Sequence, residues 1–167
     1  MQLDIKEQSL ILEGKKYSRK ELMSLSANAT GDNTSSFLLD LYRFLADWFS
    51  DSPFMTVHTS GSTGTPKVLT VRKEQMMQSA RMTCEFLNLH TGDTALLCMP
   101  LQYIAGKMMV VRALVAGLNL ILRTPSGHPL ADVTVPLRFV AMVPLQVFNT
   151  LQVLREKERL CHTDILI

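Results

Sequence analysis

A chain of 167 residues, 47% hydrophobic and 19% charged, is long enough to bury a normal core, as one domain or as a compact part of a larger one. Its 17 basic and 15 acidic residues leave a net charge of +2 with no basic stripe, so no nucleic-acid partner is implied. The three cysteines, Cys84, Cys98 and Cys161, lack any Cys-x-x-Cys spacing, which suits buried thiols in a reducing cytoplasm rather than disulfides or zinc ligands.

In chain order, Met1-Gln2-Leu3-Asp4-Ile5-Lys6 is charged where a signal peptide needs an apolar core. Residues 1–17 read as a small hairpin, with strands Leu3-Asp4-Ile5 and Leu10-Ile11-Leu12 and a turn at Glu13-Gly14-Lys15. Ser18 and Glu21 fit a capping box, predicting a helix over 18–26, and the polar stretch 27–35 reads as a mobile loop. Phe37, Leu38, Leu41, Phe44, Leu45 and Trp48 recur at three and four residues, an amphipathic helix ended by Asp51-Ser52-Pro53, with its aromatic stripe in the core.

Phe54-Met55-Thr56-Val57 alternates as a strand, and Val68-Leu69-Thr70-Val71 reads as a second. A helix over 73–89 follows, with Met76, Met77, Ala80, Cys84 and Leu87 on one side. The unbroken apolar run Thr94-Ala95-Leu96-Leu97-Cys98-Met99 is typical of a strand buried on both faces. A helix over 103–116 with Gly117 as C-cap leads to a strand over 119–123 and a Pro/Gly loop over 124–129. The segment 108–122 is too short, and too interrupted by Arg112, Gly117 and Asn119, to span a bilayer, so a soluble cytoplasmic protein is expected. A strand over 139–143, a helix opened by Pro144 and running to about 159, and a strand over 163–167 complete the series. The βαβα alternation predicts an α/β fold, a mostly parallel sheet flanked by helices on both faces. Two units are expected: 1–53, a hairpin and two helices, and 54–167, an incomplete α/β subdomain. Ending on Asp164-Ile165-Leu166-Ile167, inside a sheet element, the chain reads as part of a longer polypeptide whose remainder would be its partner.

Between the strands at 54–57 and 68–71 lies His58-Thr59-Ser60-Gly61-Ser62-Thr63-Gly64-Thr65-Pro66-Lys67. Small residues let backbone N–H groups converge on an anion, hydroxyls add donors and lysine adds a full charge, so the fitting ligand is a phosphate chain. A Walker A loop is excluded: five positions after Gly61 stands Pro66, and Val68 follows the lysine. A plain Gly/Ser linker is disfavoured, because linkers carry no fixed Pro-Lys followed by a β-branched run.

The order Thr-Ser-Gly-Ser-Thr-Gly-x-Pro-Lys closely resembles the phosphate-binding signature of the AMP-forming acyl- and aryl-CoA synthetase superfamily. Met99-Pro100-Leu101-Gln102-Tyr103-Ile104-Ala105-Gly106 looks like its second signature, Pro-Leu-x-His followed by glycine. Val143-Pro144-Leu145-Gln146 and Ile165-Leu166-Ile167 resemble segments at its adenine site. The likeness covers 54–167, and within the superfamily it is nearest to o-succinylbenzoate–CoA ligases of menaquinone synthesis. The resemblance implies a partial N-terminal domain of an adenylate-forming enzyme. Such an enzyme joins a small-molecule carboxylic acid to ATP, releases pyrophosphate and passes the acyl group to coenzyme A. It implies phosphate contacts from Thr59, Ser60, Ser62, Thr63 and Thr65, close approach at Gly61 and Gly64, a stiff exit at Pro66, and Lys67 as the catalytic cation on the β/γ phosphates. Magnesium would arrive with ATP; no metal cage is visible, and the family's later acidic motif supplies its protein ligand.

Two departures stand out: Val68 replaces the usual glycine after the lysine, and Tyr103 replaces the usual histidine. Tyr103 and Lys107, four apart at a helix start, share a face that could meet the acid, although Lys107 could equally be a surface lysine. Arg112 has the same two readings, and His58 either faces the acyl pocket or ends a strand. His90, His128 and His162 read as surface residues without partners. Alternatives kept open are a non-catalytic nucleotide- or phosphate-binding module, a scaffold domain, and another superfamily member such as a fatty- or aryl-acid ligase. A homodimer is compatible with the sequence.

Overall fold

The computed structural model describes residues 4–29, 35–59 and 67–167. A 3-10 turn (Ile5–Glu7) leads into β1 (Ser9–Leu12), β2 (Lys15–Ser18), α1 (Arg19–Asn28) and α2 (Ser36–Phe49). Then come β3 (Phe54–Thr59), β4 (Lys67–Arg72), α3 (Lys73–Phe86), β5 (Thr94–Leu97) and α4 (Ile104–Ala116). The chain continues through β6 (Asn119–Leu122), β7 (Phe139–Val140), α5 (Pro144–Gln152), α6 (Leu154–Cys161) and β8 (Ile165–Leu166).

Six strands form one sheet in the order β2-β1-β6-β5-β7-β8, parallel throughout except for the β1/β2 pair. Side chains alternate across a strand, so the apolar run of β5 feeds two cores at once. Ala95, Leu97, Leu120 and Phe139 join the larger core under α2, α3 and α4. Leu96, Cys98, Ile121 and Val140 join a smaller one, against which Val147 of α5 and Leu160 of α6 pack. Helices therefore cover both faces, as the alternation predicted. Leu10, Leu22, Leu41 and Trp48 lie in the same core as Met55, Met109 and Leu120, so packing is continuous across residues 53 and 54.

Several local expectations are corrected. The N-terminal hairpin uses Lys15–Ser18 as its second strand; of the stretch expected as its first strand, Leu3 lies outside the described residues, and Asp4 caps a 3-10 helix that begins at Ile5. Its turn has Glu13 and Gly14 at positive φ, 47° and 82°, the conformation that matches the twist of flanking strands. That turn is stitched to β6: the Gly14 amide donates to Asn119 Oδ1 at 2.8 Å and the Leu122 amide to Glu13 Oε1 at 2.7 Å. The helix predicted over 144–159 breaks at Val153, whose φ/ψ of −111°/114° is extended. Cys84 and Cys98 are buried but Cys161 is exposed, so the expectation of three buried thiols fails at the third. The capping box at Ser18 and Glu21 is present, and of the predicted loop over 27–35, residues 30–34 lie outside the described residues. Among the described residues no helix is long and apolar enough to cross a membrane.

Candidate active site at the carboxyl end of the sheet

β3 and β4 form a separate antiparallel ladder, in register from Phe54 opposite Arg72 to Thr59 opposite Lys67. β3 buries Met55 and Val57 in the larger core, while β4 is the outer strand with Val68 and Leu69 exposed. The last pair holds the two ends of the glycine- and hydroxyl-rich stretch opposite each other. Ser60, Gly61, Ser62, Thr63, Gly64, Thr65 and Pro66 lie outside the described residues; of the predicted phosphate contacts, Thr59 is half-buried and Lys67 is exposed.

The hairpin meets the main sheet where β5 runs out. A single parallel bridge joins His58 to Tyr103, and His58 Nδ1 lies 3.2 Å from the carbonyl oxygen of Gln102. Lys107, half-buried in the first turn of α4, donates from Nζ to the Thr56 carbonyl at 2.6 Å. Burial pushes its pKa below the ordinary lysine value, with the charge of Asp47 pulling the other way. Thus His58, read on its own in the sequence, and the pair Tyr103 and Lys107 converge on one corner. Arg112 points elsewhere: its guanidinium sits 5.9 Å from the centre of the Phe139 ring, and burial lowers its pKa. Gly106 explains why this corner needs a glycine, since an added Cβ would lie 2.4 Å from the Pro100 carbonyl oxygen.

Gln146 stood in the sequence only as the last residue of the Val143–Gln146 segment, with no role assigned to its side chain. Buried at the start of α5, it donates from Nε2 to the carbonyls of Cys98 (3.1 Å) and Ser126 (2.9 Å). Its Oε1 accepts from the Val143 amide at 3.1 Å. It therefore ties together the chain segments that leave β5, β6 and β7, at the carboxyl end of the sheet, the end at which parallel α/β sheets receive ligands. A glutamine two residues after a helix-opening proline was the available signal. His128, expected to lack a partner, pairs through Nδ1 with the buried Glu156 Oε1 at 2.9 Å, and the His162 ring nitrogen lies 2.7 Å from the Glu158 carbonyl. A surface cavity of about 700 Å³, lined by residues 133–137 and α6, opens at the amino ends of β7 and β8 and contains none of the candidate residues.

A mostly parallel sheet covered by helices on both faces is the architecture of the N-terminal domains of adenylate-forming enzymes. The chain belongs to the AMP-binding enzyme family, whose model matches residues 3–158. It is similar to the 2-succinylbenzoate–CoA ligase of Haemophilus influenzae, 29% identical over 118 residues, which are 71% of this chain and 25% of that protein. Among solved structures it resembles an acyl-CoA synthetase (AMP-forming)/AMP-acid ligase II-like protein from Dyadobacter fermentans, with TM-score 0.74 and 32% identity over 86% of this chain and 41% of the other. The o-succinylbenzoate coenzyme A synthetase of Bacillus subtilis, in complex with ATP and magnesium, shares the fold at TM-score 0.58 and 14% identity, over 90% of this chain and 49% of that one. The chain thus spans a quarter of the length of the curated relative it matches.

Proposed function

We propose that this chain supplies the triphosphate-binding part of an ATP-dependent acid–CoA ligase, with o-succinylbenzoate as the acid. The observation that carries the reading is the Thr59–Lys67 pair, which brackets a Ser60–Pro66 stretch rich in glycine and hydroxyls at the carboxyl end of the sheet. In the first step a carboxylate oxygen of the acid attacks the α-phosphorus of ATP, and pyrophosphate leaves. In the second the coenzyme A thiolate attacks the acyl carbon, and AMP leaves. The chain's own task is to hold the triphosphate while charge grows on the leaving pyrophosphate. Backbone N–H dipoles, the hydroxyls of Thr59, Ser60, Ser62, Thr63 and Thr65, and the Lys67 ammonium suit that task because they place donors and a positive charge where negative charge develops. Magnesium enters with the nucleotide.

His58, Tyr103 and Lys107 form the proposed wall of the acid pocket, where a cation suits the carboxylate of a diacid that is not activated. The likeness to a 2-succinylbenzoate–CoA ligase supports that substrate, and with it a place in menaquinone synthesis in the cytoplasm. Calorimetry with ATP and magnesium tests the reading. The parent chain binds saturably, and Lys67→Ala weakens binding roughly tenfold to a hundredfold, about 1.5–3 kcal/mol for a charge-assisted contact. The exposed Lys67 leaves the melting temperature unchanged. Absence of saturable ATP binding by the parent overturns the reading. The 167-residue chain by itself is expected to form no acyl-CoA, and thioester formation by it would refute the division of labour proposed here.

A further inference from the structure

We propose that Lys107 is a positioning residue: by holding the Thr56 carbonyl it fixes the β3–β4 hairpin against the end of β5, and so sets where Thr59 and Lys67 stand. The inference rests on the triphosphate reading for its purpose, but its geometry is independent of it. Among the described residues, the hairpin shares no ladder with the six-stranded sheet beyond the His58–Tyr103 bridge. Of its outer strand only Val71 is half-buried against the larger core, so its angle depends on the packing of Met55, Val57 and Val71, the His58–Gln102 contact and the 2.6 Å Lys107–Thr56 bond.

α4 is a rigid partner for this purpose, with Met108, Met109, Val110 and Val111 all buried. A cation in a helix's first turn opposes the positive end of the macrodipole, and half-burial strips water from it. Both terms disfavour a lysine here, and the bond to Thr56 offsets them. That carbonyl lies 51 positions earlier in the chain, so the bond crosses from the helix layer to the hairpin. It meets β3 three residues before the strand's final pair.

Amide hydrogen exchange and ATP calorimetry on the parent chain, Lys107→Met and Lys107→Arg test the proposal. Lys107→Met keeps the aliphatic stem and loses the donor; its β3 and β4 amides should exchange about tenfold faster, with β5 and β6 unchanged, and ATP affinity should fall about tenfold. Lys107→Arg restores a donor and should recover most of both. Faster exchange spread evenly over the whole chain would mean a merely structural role and overturn the proposal, as would unchanged hairpin exchange in Lys107→Met. If Lys107→Met does not fold, Lys107→Arg decides: parent-like hairpin exchange supports the proposal, and exchange raised there refutes it. A parent that binds no ATP sinks the triphosphate reading, while the exchange data still decide the positioning role.

Discussion

At Gly106 an added Cβ would approach the Pro100 carbonyl oxygen to 2.4 Å and the Met99 carbonyl oxygen to 2.9 Å. These are backbone atoms, with no flexible end to swing aside. Helix propensity alone argues the other way, since alanine is better than glycine inside a helix by roughly 1 kcal/mol. The contact should win. Gly106→Ala is expected to destabilise the chain by about 1–3 kcal/mol, the usual range for overpacking. Thermal unfolding checks it, and the sign is the test: a raised melting temperature would mean that α4 can shift off the 99–100 backbone without loss. Gly106 lies three residues after Tyr103, which bridges to His58, so the close approach falls near the corner where the hairpin attaches.

Among elements, the junction of β5, β6, β7 and α5 depends on one side chain. Replacing Gln146 by Ala removes donors from the carbonyls of Cys98 and Ser126 and the acceptor of the Val143 amide. A buried group left unpaired costs about 1–3 kcal/mol. Gln146→Ala should therefore lower the urea-derived unfolding free energy by a few kcal/mol; a loss below about 0.5 kcal/mol would show that water or local movement replaces all three bonds. Little of this junction was legible in the sequence, because two of the three partners of Gln146 lie 20 and 48 positions from it. Elements with strong local causes were legible: the capping box at Ser18, the apolar spacing of α2, the opening of α5 at Pro144 and the two-faced burial of β5. β2 was not, because Lys15-Lys16-Tyr17-Ser18 is a polar edge strand with no hydrophobic alternation. The break at Val153 was hidden by apolar residues on both sides of it, and exposed Leu151 and Leu154 carry no stop signal. Of the candidate site, residue types and their order could be read from the chain, whereas the meeting of Lys107 with Thr56 is a product of tertiary packing.

For the molecule as a whole, stability should depend on alkaline pH through its buried thiols. Burial pushes Cys98 up to about 12 and Cys84 up to about 11, from an ordinary value near 9. Below pH 9 both states hold these protons and the contribution is complete. Above it the unfolded chain releases them while the fold retains them, so stability falls as pH rises toward the folded values. Lys73 and Lys107, whose pKa values burial lowers, act in the opposite sense, since the fold sheds a proton that the unfolded chain keeps. The comparison that isolates the thiol is the slope of unfolding free energy with pH in the parent and in Cys98→Ala. Between pH 9 and 10.5 the parent should lose about 2 kcal/mol more than the variant. Equal slopes would mean that the Cys98 thiol ionises as readily in the fold as out of it.

The stitching of the first turn to β6 bears on how the chain is made. β1 lies between β2 and β6, yet Asn119 and Leu120, which it pairs with, come more than a hundred residues after Leu12. At a synthesis rate of roughly 5–20 residues per second, the first strand waits about 5–20 s for its second neighbour. Throughout that interval Leu10 and Leu12 have no finished core to enter, so the nascent hairpin keeps an apolar face open until β6 has been made.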